Sequence, residues 1–150
     1  MEIIKATVNN LAIISSLFNQ YRIFYNQPDN LEEATRFIEA RLKNSESVIL
    51  LAQENIKGKV EGAGFTQLYP SFSSVAMQKI WILNDLFVAP EFRKQQVATG
   101  LINKATELCK ETGAIRLTLE TDRDNYSAQA LYEKIGFERA DHCYFFNLNV

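Results

Sequence analysis

Few residues in this chain of 150 have the type and spacing for chemistry. The densest group lies in NDLFVAPEFRKQQVATGL, which begins at Asn84. An apolar strand end, Ile80 to Val88, runs into Ala89-Pro90, where proline stops the strand and biases its neighbour away from helix. Val97, Ala98, Leu101, Ile102, Ala105, Leu108 and Cys109 then recur at helical spacing. A strand, a short loop and a helix in that order aim unpaired backbone N–H groups at an anion. Arg93 and Lys94 add positive charge at the helix mouth, so a phosphate-bearing ligand fits. No Gly-Lys-Ser/Thr follows, and Gly100 is the only glycine near the helix start, so the Walker and dinucleotide fingerprints are absent.

Other reactive types are scattered. One histidine, His142, and two cysteines, Cys109 and Cys143, give no metal-ligand spacing. Asp141, His142 and Cys143 are consecutive in a turn-like stretch, where strand neighbours would point apart. Ser71, Ser73 and Ser74 read as turn residues without a histidine nearby, and Glu32 and Glu33 as a solvated helix face.

The elements that must hold the anion site follow from periodicity. The length fits one domain, residues 1–150, with a sizeable core. A net charge of −2 argues against bulk nucleic-acid or membrane-surface binding, since both require a basic face. The N-terminus lacks a basic-then-apolar opening, and no apolar run approaches the roughly 18 residues of a membrane span. The chain reads as cytoplasmic with free thiols. Glu2 to Val8 alternates as a strand. Leu11 to Phe24 carries a helical stripe broken at Asn26-Gln27-Pro28-Asp29, and Asn30 caps a second helix. Val48 to Gln53, a turn at Asn55 to Lys59, and Val60 to Leu68 form a hairpin, with Gly62 and Gly64 marking a bulge or close approach. Tyr69 to Ser74 reads as a loop and Met77 to Val88 as a long strand. After the helix, which Gly113 ends, Ala114 to Thr121 is a strand and Tyr126 to Ile135 a helix closed by Gly136. Phe137 to Val150 reads as a short strand, a turn and a final strand, YFFNLNV. The order is β-α-α-β-β-β-α-β-α-β-β, an α/β layout with a mixed sheet.

The run NYSAQALYEKIGF, Asn125 to Phe137, taken with VAPEFRKQQVATGL, resembles the Gcn5-related N-acetyltransferase (GNAT) superfamily. That family pairs Arg/Gln-x-x-Gly-x-Gly/Ala at a helix start with a later Asn, Ala and Leu-Tyr-Glu-Lys-x-Gly-Phe. The element order is also the family's. YRIFY at Tyr21 to Tyr25, ILNDLFV at Ile82 to Val88 and AQALY at Ala128 to Tyr132 further resemble the yeast histone and polyamine acetyltransferase subgroup and its bacterial relatives. The resemblance implies a mostly antiparallel sheet splayed between its fourth and fifth strands, with helices on both faces. It implies acetyl-CoA as co-substrate, no metal, an amine acceptor, and is compatible with a homodimer.

Residue by residue, the resemblance implies that the backbone of Leu86, Phe87 and Val88 pairs with the pantetheine arm. The N–H groups of Lys94, Gln95, Gln96, Val97, Ala98 and Thr99 cradle the pyrophosphate beside Arg93. Asn125 touches pantetheine or nearby backbone, and Tyr132 stands by the sulfur as general acid. Gln96 occupies the position of the family's middle glycine, and helical periodicity predicts it in the first turn with negative φ.

Acetyl transfer to an amine sets further needs. A lysine-like ammonium has a reference pKa near 10.4, so its free base costs roughly 4 kcal/mol at about pH 7.4. A base is therefore useful, and Asp85, beside the cofactor strand, or Glu120, at the end of the next one, could serve. Tyr21, Phe24, Tyr25, Tyr69 and Phe72 form an aromatic set expected over the acceptor side, suited to an aliphatic or cationic amine. Two other readings stay open: a CoA-binding regulatory module without turnover, motivated by Gln96, and an interaction protein using an open sheet edge.

Overall fold

The computed structural model describes residues 1–150, which divide into residues 1–119 and residues 120–150. In the first unit, strands β1 (Glu2–Lys5), β2 (Val48–Ile56), β3 (Lys59–Ser73), β4 (Gln78–Val88) and β5 (Leu117–Thr118) form one sheet in that order. The first four pair antiparallel and β5 runs parallel to β4, giving the mixed sheet of an α/β fold. Strand β1 is shorter than alternation predicts. It stops at Lys5 because the Thr7 hydroxyl accepts from the Asn9 N–H and starts a 3-10 turn, Val8–Asn10.

That turn leads into α1 (Leu11–Phe24), whose bounds match the apolar stripe. Helix α2 (Leu31–Lys43) starts at Asn30, whose side-chain oxygen accepts from the Glu33 N–H at 3.1 Å. Asn19 of α1 fixes the link between them: it donates to Asp29 at 2.8 Å and accepts from the Asn30 N–H at 3.1 Å. Phe18 of α1 stacks on Phe37 of α2 and meets Phe65 of β3 edge-on, ring centroids 5.4 and 6.2 Å away. Helix α3 (Val97–Glu111) lies along the sheet from β1 to β5 and buries Val97, Leu101, Ile102, Ala105 and Cys109. Fully buried Ile14, Ile38, Leu51, Phe65, Leu68, Leu101 and Ile102 form the core, each contributing about 1.5–3 kcal/mol of apolar burial.

Between β2 and β3, Lys57 and Gly58 both take positive φ, 53° and 85°, the pair of signs that a two-residue hairpin favours. The expected bulge near the glycines is present: Ala52 faces Gly64 and Gln53 faces Gly62, leaving Ala63 extra.

Three expectations need correction. Tyr69 to Ser73 is not a loop but the outer arm of β3, and the turn comes only at 74–77. Pro70 is tolerated there because β2 begins pairing at Val48↔Leu68, so β3 beyond Leu68 has β4 alone as neighbour and one free edge. The strand expected over Ala114 to Thr121 is only β5, two residues long. The third correction concerns the second unit. Helix α4 (Tyr126–Ile135) is closed by Gly136 at φ 110°, but residues 137–150 form no strand despite the alternation in YFFNLNV. A strand exists through its pairing, and that unit holds no other strand to pair with. No helix is long and apolar enough to cross a membrane.

Candidate active site

Strand β4 is where the chemistry gathers. Its last pairing with β5 is Ile82↔Thr118, so from Leu83 to Val88 the strand has no partner on that side. The sheet is splayed there, and the backbone of Leu86, Phe87 and Val88 presents an edge to which an extended ligand can add. The opposite side of the same stretch is held tightly by β3. A Cβ on Gly64 would stand 2.5 Å from the Phe87 carbonyl oxygen, so only glycine permits this approach.

A second bulge lies in β4. Gln67 faces Asp85 and Leu68 faces Leu83, which leaves Asn84 extra. Asn84 is exposed while Asp85 is 4 % exposed, so Asp85 is the neighbour that turns inward. The Asp85 carboxylate accepts from Gln67 Nε2 at 2.6 Å on Oδ2 and from Asn84 Nδ2 at 3.0 Å on Oδ1. The Tyr21 hydroxyl is a third hydrogen-bond partner. Burial pushes the Asp85 carboxyl above the ordinary carboxylate range, and these three bonds oppose the rise. The Tyr69 phenol is also pushed up, by burial first and then by the negative charge of Asp85. Arg41 pulls it down, and Glu46 adds to the rise. Tyr21 is wedged among Phe65, Phe87 and Tyr25, with centroids 6.0, 6.4 and 5.0 Å away.

Asp85, Tyr21 and Tyr69 are therefore brought together. Tyr25 sits at the rim and is more than a third exposed. Phe72 does not join them. It is three residues beyond Tyr69 on regular strand, so alternation turns it to the other face, and it is 73 % exposed. Gln67 escaped the sequence reading. The signal was available: GFTQLY places a glutamine in register with Phe65 and Tyr69, on the face that must be buried.

After β4, the 3-10 turn Pro90–Phe92 leads to Arg93, whose Nε donates to the Val88 carbonyl at 3.2 Å and ties the loop to the strand end. Lys94 and Gln96 both have φ 61°. The expectation of negative φ at Gln96 is overturned: α3 begins at Val97, so Gln96 is its cap rather than part of its first turn, and is left-handed at φ 61°, ψ 16°. Each such residue without glycine costs about 1–2 kcal/mol. Turn conformations of this kind bring successive N–H groups to one concave side, a shape suited to anions. The first bond of α3 runs from Gly100 N–H to the Gln96 carbonyl, so the N–H groups of Val97, Ala98 and Thr99 have no partner within the helix. The strained loop, the helix start and the Arg93 and Lys94 charges form one cationic mouth, of a shape suited to an anion, next to the open strand edge.

Three expected residues belong to the second unit. Glu120 is exposed and lies outside any strand. Asn125 accepts from the Ala128 N–H at 3.2 Å and so caps α4. Tyr132, half-buried, meets Phe137 edge-on at 5.7 Å. Asp141 pairs with Arg139.

Comparison with known proteins agrees with this geometry. Residues 14–137 match the model of the acetyltransferase (GNAT) family. YhfO of Bacillus subtilis (strain 168), an uncharacterized N-acetyltransferase, is 47% identical over 100% of this chain and 98% of its own. A Haemophilus influenzae protein named a probable acetyltransferase is 32% identical over 92% of this chain and 90% of its own. The crystal structure of a probable acetyltransferase, 41% identical, superposes with a TM-score of 0.92 over 100% of this chain and 98% of that one. With the open β4 edge and the loop before α3 both in place, the chain belongs to the GNAT acetyltransferase family.

Proposed function

We propose that this protein transfers acetyl from acetyl-CoA to a primary amine by direct attack, both substrates being bound together. The acceptor is a polyamine, small amine, amino acid or protein lysine. One observation carries this reading: a buried carboxylate, Asp85, sits on the strand whose open edge runs straight into an anion-binding helix mouth. The pantetheine arm pairs with the backbone of Leu86, Phe87 and Val88. The pyrophosphate rests on the N–H groups from Lys94 to Thr99, with Arg93 and Lys94 supplying charge.

Asp85 is preferred to Glu120 as base because it is buried and its proton affinity is raised, which brings it closer to neutral pH, where a general base works best. It takes a proton from the incoming ammonium, offsetting part of the roughly 4 kcal/mol that the free amine costs at about pH 7.4. Tyr21, Tyr25 and Tyr69 surround the amine, and their ring faces suit a cation. The amine nitrogen forms a bond to the thioester carbonyl carbon. The carbon–sulfur bond then breaks, the thiolate leaves with a proton from Tyr132, and the second proton shed by the amide nitrogen returns to the Tyr132 phenolate. Holding amine and thioester in line supplies most of the remaining acceleration.

A thiol-release assay with acetyl-CoA against polyamines, amino acids and lysine peptides tests this, with calorimetry for CoA affinity. Turnover with one acceptor class is expected. Micromolar CoA affinity without turnover on any amine would favour a regulatory module, and no CoA affinity would overturn the reading.

A further inference from the structure

Beneath Asp85 lies a polar pair that acetyl transfer as described does not use. Gln67 is wholly buried in β3, and its carboxamide is held at both ends. Ser47 Oγ donates to Gln67 Oε1 at 2.9 Å, and Gln67 Nε2 donates to Asp85 Oδ2 at 2.6 Å. A glutamine amide can face either way, but an ionised carboxylate only accepts, so the N–H end must point at Asp85, and the Ser47 hydroxyl, which can donate, completes the oxygen end. A fully buried polar side chain in an apolar strand costs stability unless it is fully bonded. Leucine would fill this position without that requirement.

We propose that Gln67, oriented by Ser47, is a positioning residue that fixes the rotamer and the charged form of Asp85. The inference rests on the reading of Asp85 as the base. A base must present one carboxylate oxygen to the incoming amine, and the two bonds divide the work. Gln67 anchors Oδ2, while Oδ1 is held by the exposed and more readily displaced Asn84. The charged and titratable groups around Asp85 are Tyr21 from α1 and Tyr69 from β3, with Arg41 of α2 and Glu46 acting on Tyr69. None of these supplies a formal positive charge in contact with Asp85, so neutral donors carry the stabilisation of its charge. Losing the Gln67 bond favours the protonated form. As pH falls, Asp85 then accepts its proton sooner, and the acidic limb of the rate profile moves to higher pH.

The test is the pH dependence of kcat/KM with the best acceptor of the panel for the full chain and for Gln67→Leu, Ser47→Ala and Asp85→Asn. Gln67→Leu is expected to move the acidic limb up by about one pH unit or more, because a hydrogen bond to a charged group is being removed. Its rate should approach that of the parent on the alkaline side. Ser47→Ala, at a half-exposed site outside the core, should move the limb the same way by less, and it carries the test should Gln67→Leu not fold. Asp85→Asn should abolish the limb. If Asp85→Asn keeps the limb, the base assignment fails. If Asp85→Asn removes it while Gln67→Leu and Ser47→Ala leave it in place, the base stands and the positioning role is overturned.

Discussion

The two units of this chain hold their aromatic residues in opposite ways. In residues 1–119, Phe65 is wholly buried and touches Phe18 and Tyr21 edge-on, and Phe87 beside it is buried too. In residues 120–150, α4 buries no residue, and Tyr144, Phe145, Phe146 and Leu148 are all largely exposed. The first unit fixes Asp85 and the residues around it by packing and buried hydrogen bonds. The second carries the most family-specific run of sequence, NYSAQALYEKIGF, on a helix with almost no core of its own. In this chain the family-specific run therefore does not mark where side chains are buried.

The largest effects should come from Asp85 and Tyr132, the two groups proposed to move protons. Asp85→Asn is expected to lower kcat/KM by about 10²–10⁴-fold, the usual range for a lost general base. Burial raises the Asp85 carboxyl, so the parent's acidic limb should lie above the ordinary carboxylate range. The same shift has a stability consequence of opposite sense. The folded chain holds this proton longer than the unfolded one. The contribution is fully present below the unfolded pKa and is lost as pH rises through the folded one. Urea titrations across that window should show Asp85→Asn losing less stability than the parent as pH increases. Tyr132→Phe is expected to keep CoA affinity and lose most turnover at neutral pH, and an unchanged pH–rate profile would contradict its role as acid. Were only Asp85→Asn impaired, the chemistry would belong to the first unit alone.

Phe65→Ala comes next and tests packing rather than chemistry. Removing a wholly buried ring that meets two aromatic rings edge-on should cost about 3–5 kcal/mol, read as a lower denaturation midpoint at unchanged m-value.

Much of the first unit was legible because its signals are local. The stripe and the Asn-Gln-Pro-Asp break set α1, Asn30 caps α2, and Gly62 and Gly64 mark a bulge and a close approach. What was not legible depended on partners distant in sequence. Pro70 looks like a breaker until β2 is known to stop short of it. The bulge that turns Asp85 inward exists only as a register difference against β3. The left-handed cap at Gln96 is hidden because periodicity locates the first helical residue, Val97, without describing the residue before it. The left-handed cap carries a smaller expected effect. Gln96→Gly should stabilise the chain, since glycine takes φ 61° without the left-handed penalty of about 1–2 kcal/mol, less the extra freedom it gains in the unfolded chain. A net gain below about 1 kcal/mol in thermal melts is expected, with CoA affinity kept because the N–H groups are unchanged.

The smallest effect bears most directly on the contrast between the units. YFFNLNV has the alternation and residue types of a strand, yet forms none. Phe146 is 92 % exposed. If the ring truly gains nothing from the folded chain, Phe146→Ala should change the denaturation midpoint by no more than about 0.5 kcal/mol, as for an ordinary surface position. The comparison with Phe65→Ala uses the same chemical change, so side-chain size and transfer free energy cancel and burial alone distinguishes the two. Measuring both at several protein concentrations separates the remaining case. A Phe146→Ala loss that grows with concentration means that self-association covers the ring, whereas a concentration-independent loss above 1 kcal/mol means that the second unit has a core of its own.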